Sequence, residues 1–204
     1  MKTKILGLSG RKQSGKNTVA NFVHGMKMVE SGIIPNFRFS EDGHLIVPSQ
    51  SFDENGNEII DYGFFDIERK DWQFTEYMST NVWPFVKLYS FADILKTNIC
   101  MEALGLTYDQ CYGSDDNKNE ITHYRWEDMP TNPKKKGKMT AREVMQYIGT
   151  DIFRKIDQNV WSGATLRQIN AEGSALAIVC DCRFPNEIMA IKEAGGKVIR
   201  MTRN

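Results

Sequence analysis

A parallel α/β sheet with helices on both faces, in three layers, is the fold class this chain predicts, and three observations predict it. Lys4 to Ser9 (KILGLS) is a short apolar run of the kind shown by a fully buried parallel strand. It passes through a glycine-containing turn into a helical stretch, and the order strand, short joint, helix returns further along. Ala175 to Cys180 (ALAIVC), the most hydrophobic segment, has the character of a central strand.

The elements follow in order. After the first strand, Val19, Phe22, Val23 and Met26 fall at i, i+3, i+4 and i+7, which predicts one apolar stripe on a helix. Val86 to Phe91 (VKLYSF) is a second strand, and Leu95, Ile99 and Ala103 give the next helix an apolar face that stops at Gly105. Thr140 with Glu143 is a capping box opening a helix through Val144, Tyr147, Ile148 and Ile152. A further helix carries Val160, Ala164, Leu166 and Ile169. Pro185 suits the first turn of a helix through Ile188 and Ile191, closed by Gly195 and Gly196 before a last strand, KVIRMT.

Two segments break this rhythm. Ile34 to Asp71 is an acidic, aromatic insertion in which Asn55-Gly56 lies between extended stretches and predicts a β-hairpin. Gly113 to Met139 is rich in Pro, Gly, Asn and charge with little periodicity, and is expected to be a long mobile loop. With Arg125 and Lys134 to Lys136 it is either a closing lid or a solvated loop.

Composition limits what such a sheet can do. The 204 residues, 41% hydrophobic and 25% charged, suffice for one main domain over residues 1–204. Lys and Arg number 26 and Asp and Glu 26, so no global field attracts nucleic acid or an anionic membrane, and anion binding must be local. No apolar run spans a bilayer and no signal-peptide pattern precedes the first strand, which predicts a cytoplasmic protein. The cysteines Cys100, Cys111, Cys180 and Cys182 form no CxxC pair, and only three histidines are present, so zinc spacing is lacking. Reduced thiols are expected, with Cys180 and Cys182 on the same side of a strand end.

The stretch SGRKQSGKNT carries the chemistry. Gly10, Gly15 and Lys16 satisfy GxxxxGK, in which glycines let successive amides turn around a phosphate chain and the lysine reaches its terminal phosphates. The helix opening near Lys16 adds unpaired N–H groups and a positive dipole end. Lys12, Ser14, Asn17 and Thr18 complete this candidate ATP-binding set. Where the motif has a magnesium-binding hydroxyl, this chain has Asn17, with Thr18 one step on, so either Thr18 shifts in or nucleotide and water mainly hold the metal. That departure disfavours a switch GTPase or motor ATPase and suits a GKxT nucleotide kinase.

Asp181 and Arg183, in ALAIVCDCRFPNE, form the second constellation. An aspartate at the carboxyl end of a central strand enters the crevice where open α/β sheets bind ligands. Asp181 is a candidate magnesium carboxylate, or else a cap for the next helix. Arg183 either reaches the same crevice or makes a surface salt bridge.

The blocks SGRKQSGKNT, SFADILK, TAREVMQYIGTD, DQNVW and CDCRFPNEIMAIKEAGGKVIRMTR, in this order, resemble the phage-type deoxynucleoside monophosphate kinases, a branch of the P-loop nucleotide kinases. The resemblance covers Met1 to Phe22 and Val86 to Asn204 and leaves the insertion outside. It implies a P-loop kinase sheet, an ATP donor with Mg2+, a deoxynucleoside monophosphate acceptor, and host cytoplasm for a viral chain. It also implies an acceptor site lined by Lys96, Arg142, Gly149, Thr150, Trp161, Asp181 and Arg183, with Lys16, Asp181 and Arg183 at the reacting groups. Trp161 either packs on a base or sits in the core. A homodimer is compatible with the sequence, which contains no sign of a nucleic-acid or membrane partner. Such kinases usually continue beyond a strand like KVIRMTRN, so the chain is expected to be trimmed or unusually short. Other readings are a P-loop kinase acting on a ribonucleotide, dephospho-coenzyme A or another small metabolite, and a nucleotide-binding module whose hairpin contacts a protein.

Overall fold

The computed structural model describes residues 2–11, 14–67, 69, 71–131 and 134–202, with the backbone alone at Gln50. Packing divides the chain into two compact units, Met1–Ser90 with Leu166–Asn204, and Phe91–Thr165. Each unit has a buried apolar cluster of its own.

The first unit holds β1 (Lys4–Gly10), α1 (Lys16–Glu30), β2 (Arg38–Phe39), β3 (Leu45–Phe52), β4 (Glu58–Phe64), α2 (Trp72–Asn81) and β5 (Val86–Tyr89). The second holds a π-helix (Leu95–Ala103), α3 (Tyr108–Tyr112), α4 (Asp115–Lys118), β6 (Ile121–Arg125), β7 (Lys138–Thr140), α5 (Ala141–Gln146), a second π-helix (Tyr147–Phe153) and α6 (Arg154–Ile156). Helix α7 (Val160–Glu172) begins in the second unit and ends in the first, which is completed by β8 (Leu176–Cys182), α8 (Pro185–Glu193) and β9 (Lys197–Met201).

Four parallel strands in the order β5-β8-β1-β9 make the main sheet. Leu8, Val86 and Ile178 are fully buried with Ala20 and Met28 of α1, so one face is covered by that helix. On the other face Ile191 of α8 packs over Gly7, where a Cβ would come within 2.7 Å of its Cδ1. The expected layers of a P-loop kinase sheet are therefore present, with ALAIVC in an interior strand.

Two expectations for this unit are corrected. Phe22 and Met26 were assigned to the apolar stripe of α1, yet each is 48% exposed, whereas Ala20, His24, Gly25 and Met28 are buried. The buried face is thus rotated toward the small residues, and Phe22 instead meets Phe37 and Phe39 of the insertion. Cys180 and Cys182 do not share a side. Between Gly7↔Val179 and Ser9↔Cys182, β8 advances three residues while β1 advances two, a bulge that reverses the alternation. Cys180 packs with the α1-side cluster, while the Cys182 sulfur lies 3.1 Å from where a Cβ on Gly7 would be, on the α8 side. All four thiols are reduced, and burial pushes that of Cys182 up to about 12.

The insertion forms an antiparallel sheet, β2-β3-β4, with the expected hairpin between β3 and β4. Its turn is organised by Asp53, which accepts from the amides of Asn55 (2.9 Å) and Asn57 (2.8 Å) and from Asn57 Nδ2 (3.0 Å). Gly56 supplies the required positive φ of 80°.

In the second unit, Trp126, Met139, Val144 and Tyr147 are the heart of the core. Thr140 caps α5 with Glu143 in the expected capping box, and Thr107–Gln110 and Ser114–Asn117 cap α3 and α4 in the same way. The segment 113–139 departs from the irregular loop expected of it. It holds α4, β6 and a 3₁₀ turn before reaching β7, because Thr122 and Trp126 bury their side chains while the more apolar Ile121 stays 60% exposed. No helix among the described residues is long and apolar enough to cross a membrane.

Candidate functional site

Chain direction locates the crevice in the first unit. From β1 the chain leads to β5 on one side, whereas from β8 it leads through α8 to β9 on the other, so the connections diverge between β1 and β8. Open α/β sheets bind ligands outside the carboxyl ends of strands at such a point. Gly10 ends β1 there, and Asp181 is the penultimate residue of β8.

The loop after β1 has its shape for identifiable reasons. Gly10 has φ 153°, and a Cβ on it would lie 2.6 Å from Ser14 Oγ and 2.7 Å from the Met201 carbonyl, so only glycine fits. Gly15 takes φ 83° as the N-cap of α1 and offers no side chain to cap the helix. Its carbonyl accepts the first helical bond, from Val19 N at 3.0 Å. The amides of Lys16, Asn17 and Thr18 therefore have no acceptor within the helix, and the dipole favours an anion beside them.

Two side chains complete the cradle. Lys16 Nζ folds back over the loop, donating to the Gly10 carbonyl (3.0 Å) and the Arg11 carbonyl (2.7 Å). An ammonium has three donors, so a third remains for a ligand. Ser14 Oγ is buried without a hydrogen-bond partner among the described residues, the condition of a donor shaped for something that arrives. Lys12 lies outside the described residues. Asn17 borders an open cavity of about 80 Å³ shared with Asn21, His44, Phe65, Asp66 and Cys180. Thr18 packs against Gly43 of the insertion.

Across the crevice, Ser90 Oγ donates to Asp181 Oδ2 at 2.7 Å, fixing the carboxylate at the ends of β5 and β8. Ser90 was not among the residues picked from sequence, and its position just beyond β5, the neighbour of β8, was the signal available. At the start of α8 the Glu187 carboxylate accepts from the amides of Arg183 (2.8 Å) and Phe184 (3.0 Å). Arg183 is solvent-exposed, and no carboxylate pairs with its guanidinium among the described residues.

The remaining predicted acceptor residues belong to the second unit. Lys96 lies on the first π-helix with Nζ 4.4 Å above the Tyr112 ring. The Tyr112 hydroxyl donates to Asp93 (3.1 Å) and shares a 2.9 Å bond with Thr97, and burial raises its pKa. Arg142, on α5, donates to Asn119 Oδ1 (3.1 Å) and to Asp115 Oδ1 (2.8 Å). Gly149 and Thr150 lie on the second π-helix, Gly149 buried and Thr150 exposed. Trp161 takes the core alternative: it is 5% exposed, its indole N–H donates to the Gly149 carbonyl at 3.1 Å, and its ring meets Phe153. Of the basic residues in 113–139, Arg125 pairs with Glu127, and Lys135 sits over the Trp126 ring, 3.7 Å from Glu143.

No group of three or more metal-ligating side chains occurs among the described residues. The donor set at the crevice is instead one carboxylate, Asp181, held by Ser90 at the end of the strand next to β1. That set fits magnesium, which takes one or two carboxylates and completes its shell with phosphate oxygens and water.

A family model described as deoxynucleotide monophosphate kinase matches residues 4–204. A protein of Acanthamoeba polyphaga mimivirus, provisionally named deoxynucleotide monophosphate kinase, is 32% identical over 126 residues. The match covers 56% of this chain and 59% of the viral relative's length.

Proposed function

This chain belongs to the deoxynucleotide monophosphate kinase family, and on that footing we propose that it moves the γ-phosphate of ATP to a deoxynucleoside 5'-monophosphate, yielding the diphosphate and ADP. What supports the proposal is the turn from β1 into α1, where the Lys16–Thr18 amides lie ahead of the first helical bond, the Ser14 hydroxyl is buried with no hydrogen-bond partner among the described residues, and Lys16 folds back over the Gly10 and Arg11 carbonyls.

The chemistry needs little more than position and charge. A phosphate monoester is largely dianionic at neutral pH, its second pKa being about 6, so its oxygen attacks without a strong base. Lys16 and the loop amides hold the donor's terminal phosphates and stabilise charge that grows there in the transition state. Arg183, exposed at the crevice rim, is the cation assigned to the transferred group. Lys96 and Arg142 are assigned to the acceptor phosphate, with Gly149 and Thr150 beside it. Asp181, oriented by Ser90, would hold magnesium, the ion that neutralises charge on the phosphates when bound.

The test is to incubate the protein with Mg-ATP and a panel of deoxy- and ribonucleoside monophosphates and resolve the products. Diphosphate formed from deoxynucleotides, with ADP in equal amount, is the expected result. Phosphorylation of another acceptor alone would move the activity to a different small molecule, and binding without transfer would leave a nucleotide-binding module. In Lys16→Ala the loss should reach about 3–4 kcal/mol of transition-state stabilisation, a fall in kcat on the order of a hundredfold or more. Near-native turnover would remove Lys16 from its role.

A further inference from the structure

We propose that the insertion is a working part of the donor-phosphate site: its Ser40–His44 turn braces the first turn of α1, with Gly43 as the positioning residue. The inference rests on the reading that this loop holds the ATP phosphates.

The contact is close and specific. Asn21 Nδ2, one turn into α1, donates to the Gly43 carbonyl at 2.9 Å. A Cβ on Gly43 would lie 2.5 Å from Thr18 Oγ1, 3.0 Å from its Cγ2 and 3.2 Å from its Cβ. Thr18 is short and branched at Cβ, with few χ1 positions open in a helix, so it cannot swing clear as a long side chain would. Any bulk at position 43 must displace the turn or the start of the helix.

The turn itself is stiff. Ser40 N donates to the His44 carbonyl (3.1 Å), Gly43 N to the Ser40 carbonyl (2.9 Å) and His44 N to Ser40 Oγ (3.1 Å). Leu45, the next residue, is fully buried in the α1-side core. Further along the helix, a Cβ on Gly25 would meet Leu45 Cδ1 at 2.9 Å and the Phe37 ring at 3.0 Å, so the insertion lies against α1 at two levels. At the upper level it touches Thr18, whose amide is one of the three that face the phosphates. Groups that bind a transition state lose effect when displaced by fractions of an ångström, which makes the brace a determinant of donor affinity.

The hairpin offers its own control. Gly56 has φ 80°, matching the 81° of Gly43, but nothing lies within 4 Å of where its Cβ would be. Gly43→Ala and Gly56→Ala therefore impose the same backbone strain, and only the first disturbs α1. The experiment measures kcat, KM for ATP, KM for the deoxynucleotide and thermal midpoint for both. Gly43→Ala is expected to raise KM for ATP on the order of tenfold while KM for the acceptor stays within about twofold. Gly56→Ala should lower the thermal midpoint and leave both KM values near native. Asn21→Ala, which removes the amide without adding bulk, should move KM for ATP in the same direction even where Gly43→Ala does not fold. In a Thr18→Ala background the effect of Gly43→Ala should largely vanish, because the two positions act through one contact.

Equal KM values for ATP in Gly43→Ala and Gly56→Ala would overturn the proposal, as would a Gly43→Ala penalty undiminished by Thr18→Ala, or an unchanged KM for ATP in Asn21→Ala. Lys16→Ala separates these failures from failure of the underlying reading. If it keeps native ATP affinity, the loop is not the donor site at all; if it loses affinity while position 43 is silent, only the brace falls.

Discussion

His24 sits on the buried face of α1, 1% exposed, with Nδ1 lacking a partner among the described residues and the Phe65 ring 6.3 Å away. Burial lowers its pKa from 6.5 to about 4. In the unfolded chain the imidazole takes its proton near the ordinary value, so between those limits the unfolded state binds more protons. Stability is accordingly full above about pH 6.5 and falls as pH drops toward 4, by at most about 3 kcal/mol from this group. Urea midpoints followed down that range should show the slope, and His24→Leu should flatten it. An identical slope in the variant would assign the acid sensitivity to other groups. Residues of this kind are poorly legible in sequence. The GxxxxGK pattern of Gly10, Gly15 and Lys16 is legible because it is local, with all its groups inside one short stretch. Ser90, Gly43 and Asn21 are not, because each acquires its role from a partner distant in the chain, Asp181, Thr18 and Gly43 in turn.

Elements divide along the same line. The Thr140–Glu143 capping box was readable because its reciprocal bonds span three residues, and it forms with Glu143 N donating to Thr140 Oγ1 at 3.2 Å and Thr140 N to Glu143 Oε2 at 3.0 Å. Thr140→Ala should cost the protein about 1 kcal/mol, read as a lower urea midpoint, and a variant of unchanged midpoint would show that packing alone holds α5. The strands, the Asn55-Gly56 hairpin and the proline-led α8 were readable for the same reason. The face of α1 was misjudged because the insertion, not the sheet, receives Phe22. Neither π-helix has a signature in the sequence, because a widened turn leaves both the apolar spacing and the composition close to those of an α-helix. The bulge in β8 likewise has no signature in ALAIVCDC, yet it decides which side Cys182 takes.

For the whole molecule, the equality of 26 basic and 26 acidic residues has a direct consequence. No net charge draws a polyanion to it, so a short DNA duplex should show no mobility shift with this protein at physiological salt. A shift there would reveal a basic surface hidden by the overall balance. The family fold was legible at this scale because strands and helices alternate in order. The division into two cores was not, since no linker composition marks either boundary.

Parallel pairing of β1 with β8 and β9 joins segments far apart in the chain, Lys4 opposite Leu176 and Leu6 opposite Lys197. During synthesis β1 leaves the ribosome long before either neighbour exists. The loop at its end therefore cannot gain its β8 and β9 neighbours until those late segments have emerged, and, if that loop holds ATP as proposed, a nascent protein stalled before β8 should not be retained on an ATP resin.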